Sequence, residues 1–432
     1  MAKIEPKNLK GFRDFLPEMQ IPRQQMIETI KASYETFGFE PLETPVLEYA
    51  ETLVGKYGDE GDKLMYRFKD NGDRDVAMRY DLTIPLARVV AQNGELKKPF
   101  KRYQVSPVWR ADNTQKGRYR EFYQCDADIV GSTSPLADAE ILALVAKTLQ
   151  NLGINSFVVR INSREIISAF YTSLALSEAE QLTATRIVDK MDKIGPKEVE
   201  NELVKAGISQ ANAQEILRFA STSVDGIRNQ ADLGNIAESF PAIKEPLRKL
   251  STIIEYAYVQ SPDAKFVVDF SIARGLDYYT GMIFEVNLTS AAGFGSICSG
   301  GRYDNLVGIF SNKPVPAVGL SIGLDRLMAA LEELNLLPDA KTTAQVLIVN
   351  FDESLTNDYL KIASELRAAS INTVVYFEAA DLKKQLSYAG DKGIKFAVIY
   401  GPDEAKEGKI VVKNLEKGTQ EKVELSKISR FF

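Results

Sequence analysis

The period of the apolar residues changes along this chain, and those changes limit the folds open to it. Residues 64–130 alternate apolar and polar positions as strands do. LMYRFKD and RDVAMRYDLT flank the turn signal NGD, and KRYQVSPVWRAD leads through a polar loop to YREFYQCDADIVG. From about 165 to 258 the texture is helical, in LSEAEQLTATRIVDKMDKIG, KEVENELVKAG, ANAQEILRFA and IKEPLRKLSTIIEYAYV. Strand texture returns at FVVDF, 266–270. The pattern predicts an α+β fold, an antiparallel sheet domain with a helical insertion at about 170–255.

A chain of 432 residues is too long for one compact core. NLLPDAKTTA reads as a linker. Beyond it VLIVNF, TVVYF and KFAVIYG alternate with helical stretches and lead to two further short strands, which predicts a small, mostly parallel α/β sheet with its own core. The expected boundaries are 1–335 and 343–432. Near the start, the loop GFRDFLPEM precedes a helix of about 21–37, with Met26, Ile30, Tyr34 and Phe37 at helical spacing. GFEPLETPVLEYAETL reads as a strand broken by Pro41 and Pro45.

The chain contains no histidine. That excludes histidine triads, histidine bases and histidine metal ligands together. Any chemistry must run on carboxylates, Arg, Lys, Tyr, Thr and Gln. Cys125 and Cys298, the two cysteines, read as buried thiols of a reduced, cytoplasmic protein. MAKIEPKNLKGF shows no secretory leader, and no apolar run is long enough to span a membrane. A net charge of -6 argues against indiscriminate nucleic-acid binding but leaves room for a local basic groove.

In VWRADNTQKGRYREFYQCDADIV, alternation places Arg120, Phe122, Gln124, Asp126 and Asp128 on one strand face, and Tyr123, Cys125, Ala127 and Ile129 on the other. The first face reads either as the wet side of a half-buried strand or as a binding surface. Arg110, Lys116 and Arg118 cluster around the same hairpin, as a solvated rim or as a polyphosphate clamp, since guanidinium matches phosphate oxygens two at a time. No GxxxxGK[ST] loop occurs, so the P-loop solution for ATP is absent.

In RYDLTIP, Arg79, Asp81 and Thr83 fall on one strand face. Asp81 and Thr83 read as an ammonium-binding pair or as a helix cap. ARGLDYYTG, 273–281, lies between apolar FVVDFSI and MIFEV. Arg274 closes an apolar strand, where its charge requires a partner. Tyr278 and Tyr279, as strand neighbours, are expected to face opposite sides. The paired glycines of SGGRYDNL let backbone approach a ligand closely. PAVGLSIGLDRLMAAL runs from a strand into a helix with Arg326 in its first turn, a poor place for an unpaired cation and so a pointer to a bound anion.

Taken together and in order, these segments resemble the histidyl-tRNA synthetase family of class II aminoacyl-tRNA synthetases over essentially the whole chain. The first helix with GFEPLETPVL is similar to class II motif 1, a dimer-interface element. VWRADNTQKGRYREFYQ resembles motif 2 and GLSIGLDRL motif 3. RGLDYYTG and SGGRYD are the histidine-specific signatures. RYDLT carries Asp81 where other members carry Glu, and Asp128 likewise stands where the family often has Glu.

The resemblance implies a class II catalytic core with a C-terminal α/β anticodon-binding domain. It implies formation of histidyl-adenylate from histidine and ATP with Mg2+, then transfer to the 3' end of tRNA(His). Arg110 is expected at the ATP α-phosphate with Arg274 opposite it, and Arg118 at the terminal phosphates. Asp112 belongs to the same ATP-binding set, and Arg326 is expected to stack on the adenine opposite Phe122. Asp81, Thr83 and Gln124 are expected to bind the amino end of histidine, Gln124 also orienting the reacting groups. Asp128, Tyr279 and Tyr278 are expected to line the imidazole pocket, Asp128 directly or through a water. No metal ligands are assigned. Lys116 is expected near the tRNA acceptor end. Lys383, Lys384, Lys392 and Lys395 read as anticodon-domain contacts or as a solvated helix face. A second reading, the synthetase-like regulatory subunit of ATP phosphoribosyltransferase, typically lacks both the intact signatures and the C-terminal module.

Overall fold

The structure, a computed structural model, describes residues 4–225, 233–273, 278–311, 313–338 and 340–432. The strands Phe100–Trp109 and Glu121–Val130 pair antiparallel along their whole length, from Phe100 opposite Val130 to Trp109 opposite Glu121. Their loop turns back through a bridge from Gln115 to Arg118, and Gly117 supplies the φ of 74° needed there.

From Glu121–Val130 the sheet continues through Ala317–Gly323, Ser296–Arg302, Met282–Leu288 and Phe157–Ser163, each antiparallel to its neighbour. Phe266–Asp269 adds on in parallel and Ser223–Asp225 closes that side. At the other edge Glu40–Pro41 lies parallel to Phe100–Trp109, an edge position where proline's missing N–H costs no ladder bond. Leu47–Tyr49 belongs to a separate three-stranded sheet with Asp75–Met78 and Arg67–Lys69. The two prolines therefore divide one strand-like stretch between two sheets.

Helix Pro135–Asn151 packs against this sheet. Ser134 caps it by accepting from the Leu136 N–H, and Pro135 occupies the first turn, where its ring is pre-set for a helix. Ile141, Leu142, Leu144, Val145 and Leu149 are fully buried, because helix Lys244–Gln260 packs against the same helix. Between Phe157–Ser163 and Phe266–Asp269 the chain is mainly helical, with Glu178–Val188 opened by a Ser177–Glu180 capping box. Phe219 stacks on Phe170 at 3.9 Å and on Phe270 at 4.5 Å, which ties these helices to the end of strand Phe266–Asp269.

The chain divides into two compact units, Met1–Arg13 with Met26–Leu336 and Asp14–Gln25 with Leu337–Phe432. In the second, Thr373–Val375, Val346–Ile348 and Phe396–Ile399 run parallel, and Lys409–Asn414 and Thr419–Glu424 extend the sheet antiparallel. Val346, Ile348, Ile362, Leu366, Val398 and Ile410 form its core. Lys383, Lys384 and Lys392 are exposed, and Lys395 pairs with Glu416 at 3.5 Å.

Candidate active site

Alternation along Glu121–Val130 puts Gln124, Asp126 and Asp128 on one face. The wet-face reading of that surface does not hold: the three are 8%, 1% and 2% exposed. The cause is tertiary. Tyr57, Tyr80, helix Thr83–Gln92 and Tyr303 build an apolar cluster in which Tyr278 and Tyr279 also pack. A cavity of about 280 Å³ remains there. Asp81, Thr83, Arg110, Gln124, Asp128, Tyr278 and Tyr279 all line it.

Asp81 follows the strand Asp75–Met78 and precedes the helix Thr83–Gln92. Its Oδ1 accepts from the Tyr57 hydroxyl at 2.8 Å and from the Ile84 N–H at 3.1 Å, so it does cap the helix. Its Oδ2 is buried and has no hydrogen-bond partner among the described residues. Gln124 donates from Nε2 to Ser321 Oγ at 2.6 Å, and its Oε1 is likewise buried and without such a partner. Asp128 Oδ2 is a further buried acceptor on this lining without a hydrogen bond, and such acceptors are costly unless a ligand with several N–H donors enters. Arg79 does not join them. The strand ends at Met78, alternation stops, and Arg79 turns to Glu43 at 2.9 Å and to the carbonyls of Thr44 and Pro107.

Tyr278 and Tyr279 were expected on opposite sides of a strand. That strand begins only at Met282, so both rings reach the same cavity with centroids 5.0 Å apart. Asp128 accepts from Tyr303 Oη at Oδ1 and pairs through Oδ2 with Arg102 at 2.7 Å. Burial pushes the Asp81 and Asp128 carboxyls above the usual range. Asp126 is pushed up to about 7, by burial first, with Arg102 opposing the shift and Asp128 adding to it. Burial also pushes the phenols of Tyr57, Tyr278 and Tyr303 well up, so they remain donors at neutral pH.

Arg110 donates from Nε to the Tyr80 carbonyl at 2.9 Å, and its guanidinium lies 4.4 Å from the Tyr80 ring centroid and 5.1 Å from that of Phe122. The other nucleotide candidates lie off the cavity lining. Arg118 stands 4.0 Å from Asp112 and is exposed. Arg326 donates to the Ser296 carbonyl at 2.7 Å, so the cation expected to call for an anion has a protein partner. Lys116, exposed, pairs with Glu333. Arg274 lies outside the described residues.

Several lining or supporting residues escaped the sequence reading: Arg102, Tyr57, Glu285, Tyr303 and Ser321. Tyr303 was within reach, since it belongs to SGGRYDNL. Glu285 sits opposite both Arg160 and Ser299 in register, which only strand pairing reveals.

Comparison with known proteins decides the family. The family model described as Histidyl-tRNA synthetase matches residues 11–327, and that described as Anticodon binding domain matches 345–432. A curated histidine–tRNA ligase of Rhodopirellula baltica is 45% identical over 416 residues, 95% of this chain and 94% of the relative.

The chain belongs to the histidyl-tRNA synthetase family.

A crystal structure of histidyl-tRNA synthetase from Nostoc sp. PCC 7120 superposes with a TM-score of 0.88 at 36% identity, covering 100% of both chains. A structure named as an ATP phosphoribosyltransferase regulatory subunit/histidyl-tRNA synthetase from Bacillus halodurans C gives a TM-score of 0.73 at 21% identity, over 90% of this chain and 97% of the other, a likeness of fold alone. No helix among the described residues is long and apolar enough to cross a membrane, and no group of three or more Cys, Asp or Glu there could hold a metal ion.

Proposed function

We propose that this chain is a histidine–tRNA ligase, which joins histidine to ATP as histidyl-adenylate and then passes the histidyl group to the 3' end of tRNA(His). The observation that carries the reading is that Asp81 Oδ2 and Gln124 Oε1, two of the buried acceptors on residues lining the cavity, have no hydrogen-bond partner among the described residues. They complement the donors of an α-ammonium group, and the cavity extends from there to Asp128 and Tyr279.

The nucleophile of the first step is the substrate's own carboxylate, already ionised at neutral pH. No protein base is needed, which suits a chain without histidine. The carboxylate oxygen attacks the α-phosphorus of ATP, and the bond to the bridging oxygen breaks to release pyrophosphate. The protein's work is alignment and charge stabilisation. Arg110 lies at the cavity with its guanidinium near the rings of Tyr80 and Phe122, a placement suited to the α-phosphate. Arg274 is assigned opposite it from the RGLDYYTG signature. Mg2+ enters on the outer phosphates as part of the Mg–ATP substrate. Arg118 and Arg326 take the terminal phosphates and the adenine, with Phe122 on the other adenine face and Asp112 beside Arg118.

In the second step the ribose hydroxyl attacks the acyl carbon, a phosphate oxygen of the adenylate takes its proton, the bond from the acyl carbon to the phosphate oxygen breaks to release AMP, and Gln124 orients the groups. The module matched over 345–432 reads the anticodon, Lys116 approaches the acceptor end, and two copies pair through the motif 1 region. Aminoacylation of tRNA(His) with each of the twenty amino acids tests the proposal. Charging with histidine alone is expected; an absence of histidine-dependent exchange between pyrophosphate and ATP restores the regulatory-subunit reading.

A further inference from the structure

Arg102 has no place in the roles above, yet it is among the most deeply buried charges in the protein. It lies in strand Phe100–Trp109, directly across the ladder from Asp128, which in turn lies across from Gly319. Its side chain is 0% exposed. A bare buried guanidinium is strongly unfavourable, so its partners define what it is for.

Those partners lie on both halves of the cavity. Nη2 stands 2.7 Å from Asp128 Oδ2 and donates to the Leu82 carbonyl at 3.2 Å. Leu82 is the residue between Asp81 and Thr83, the two on the amino side. One terminal nitrogen thus links the Asp128 carboxylate, by an ion pair without hydrogen-bond geometry, to the backbone beside Asp81, by a hydrogen bond. Nε and Nη1 are buried with no hydrogen-bond partner among the described residues, so the contacts of this side chain run through Nη2. Tyr303 fixes the second oxygen of Asp128, and Gly319 leaves the space that the carboxylate occupies.

We propose that Arg102 is a positioning residue for amino acid selection: it sets the Asp128 carboxylate, and with it the spacing between the side-chain end and the amino end of the pocket, to fit histidine. The inference rests on the ligase reading above. A shorter carboxylate at 128 needs such support. Aspartate reaches less far into the cavity than glutamate would, and a fixed orientation offsets the lost reach.

The test is histidine-dependent exchange of pyrophosphate into ATP by the full chain, comparing wild type, R102M and R102K. In R102M the KM for histidine is expected to rise by about tenfold or more, with the KM for ATP within about twofold. R102K keeps the charge but not the planar fork, so it should recover part of the loss, with a KM for histidine about three- to tenfold above wild type. Equal rises in both KM values, or an unchanged KM for histidine, overturn the inference. If R102M does not fold, R102K decides by the same split. A wild-type chain without exchange overturns the ligase reading itself, whereas wild-type exchange with an unaltered histidine KM in the variants overturns only the role of Arg102.

Discussion

Gly319 and Asp128 face each other across paired strands so closely that a β-carbon on residue 319 would lie 1.9 Å from Asp128 Oδ1. The missing side chain is the room in which the carboxylate sits between Tyr303 and Arg102. Gly319→Ala must therefore displace Asp128 or the strand. The expected result is a loss of stability of about 1–3 kcal/mol, typical of overpacking, together with a fall in kcat/KM for histidine larger than that for ATP. Denaturant unfolding and steady-state exchange kinetics check both, and an alanine variant with wild-type histidine kinetics would contradict the placement of Asp128.

The two oxygens of Asp81 differ in their partners. Oδ1 accepts from the Ile84 N–H in the first turn of the helix, and Oδ2 is buried with no hydrogen-bond partner among the described residues. Asp81→Asn keeps a cap-competent oxygen but removes the charge. A charge-assisted hydrogen bond contributes about 1.5–3 kcal/mol. We expect kcat/KM for histidine to fall by roughly ten- to a hundredfold while the melting temperature changes little. A variant that loses stability in proportion to activity would mark Asp81 as a cap alone.

Asp126 gives a pH signature. Its carboxyl is raised to about 7 in the folded protein by burial, with Arg102 opposing, against an unfolded value of about 4. Between these values the folded state holds a proton that the unfolded state has released. The stability from this group is thus fully present below about pH 4 and is lost as pH rises through 7. Asp126→Asn has no such proton to lose. The difference in unfolding free energy, wild type minus variant, is expected to fall steadily from pH 5 to pH 7 and to level off above 8. A difference independent of pH over that window removes the buried-proton account.

The roles proposed for Arg110 and Arg274 separate by different readouts. Arg110→Lys retains a charge but loses the planar group near the Tyr80 and Phe122 rings. Its exchange rate is expected to fall about tenfold or more with a raised KM for ATP. Arg274→Ala is expected to abolish adenylate formation while ATP binding weakens far less, because the contact matters most as charge moves. Single-turnover adenylation beside equilibrium ATP binding distinguishes the two, and equal losses for Arg274→Ala count against its role.

The sequence by itself determined the strand and helix periods, the ordered signatures, the absence of histidine chemistry and hence the family. It named Asp81, Thr83, Gln124, Asp128 and both tyrosines because signature residues are local strings. It misjudged Arg79 and the direction of Tyr278 and Tyr279, because alternation says nothing about where a strand stops. It also could not see that Arg102, Asp128 and Gly319 form one row. That row exists only because a hairpin, Phe100–Trp109 with Glu121–Val130, pairs in one register with Ala317–Gly323, a strand distant in sequence. Whether a buried charge has a partner is settled by ladder alignment across the sheet, and no stretch of the chain carries that information alone.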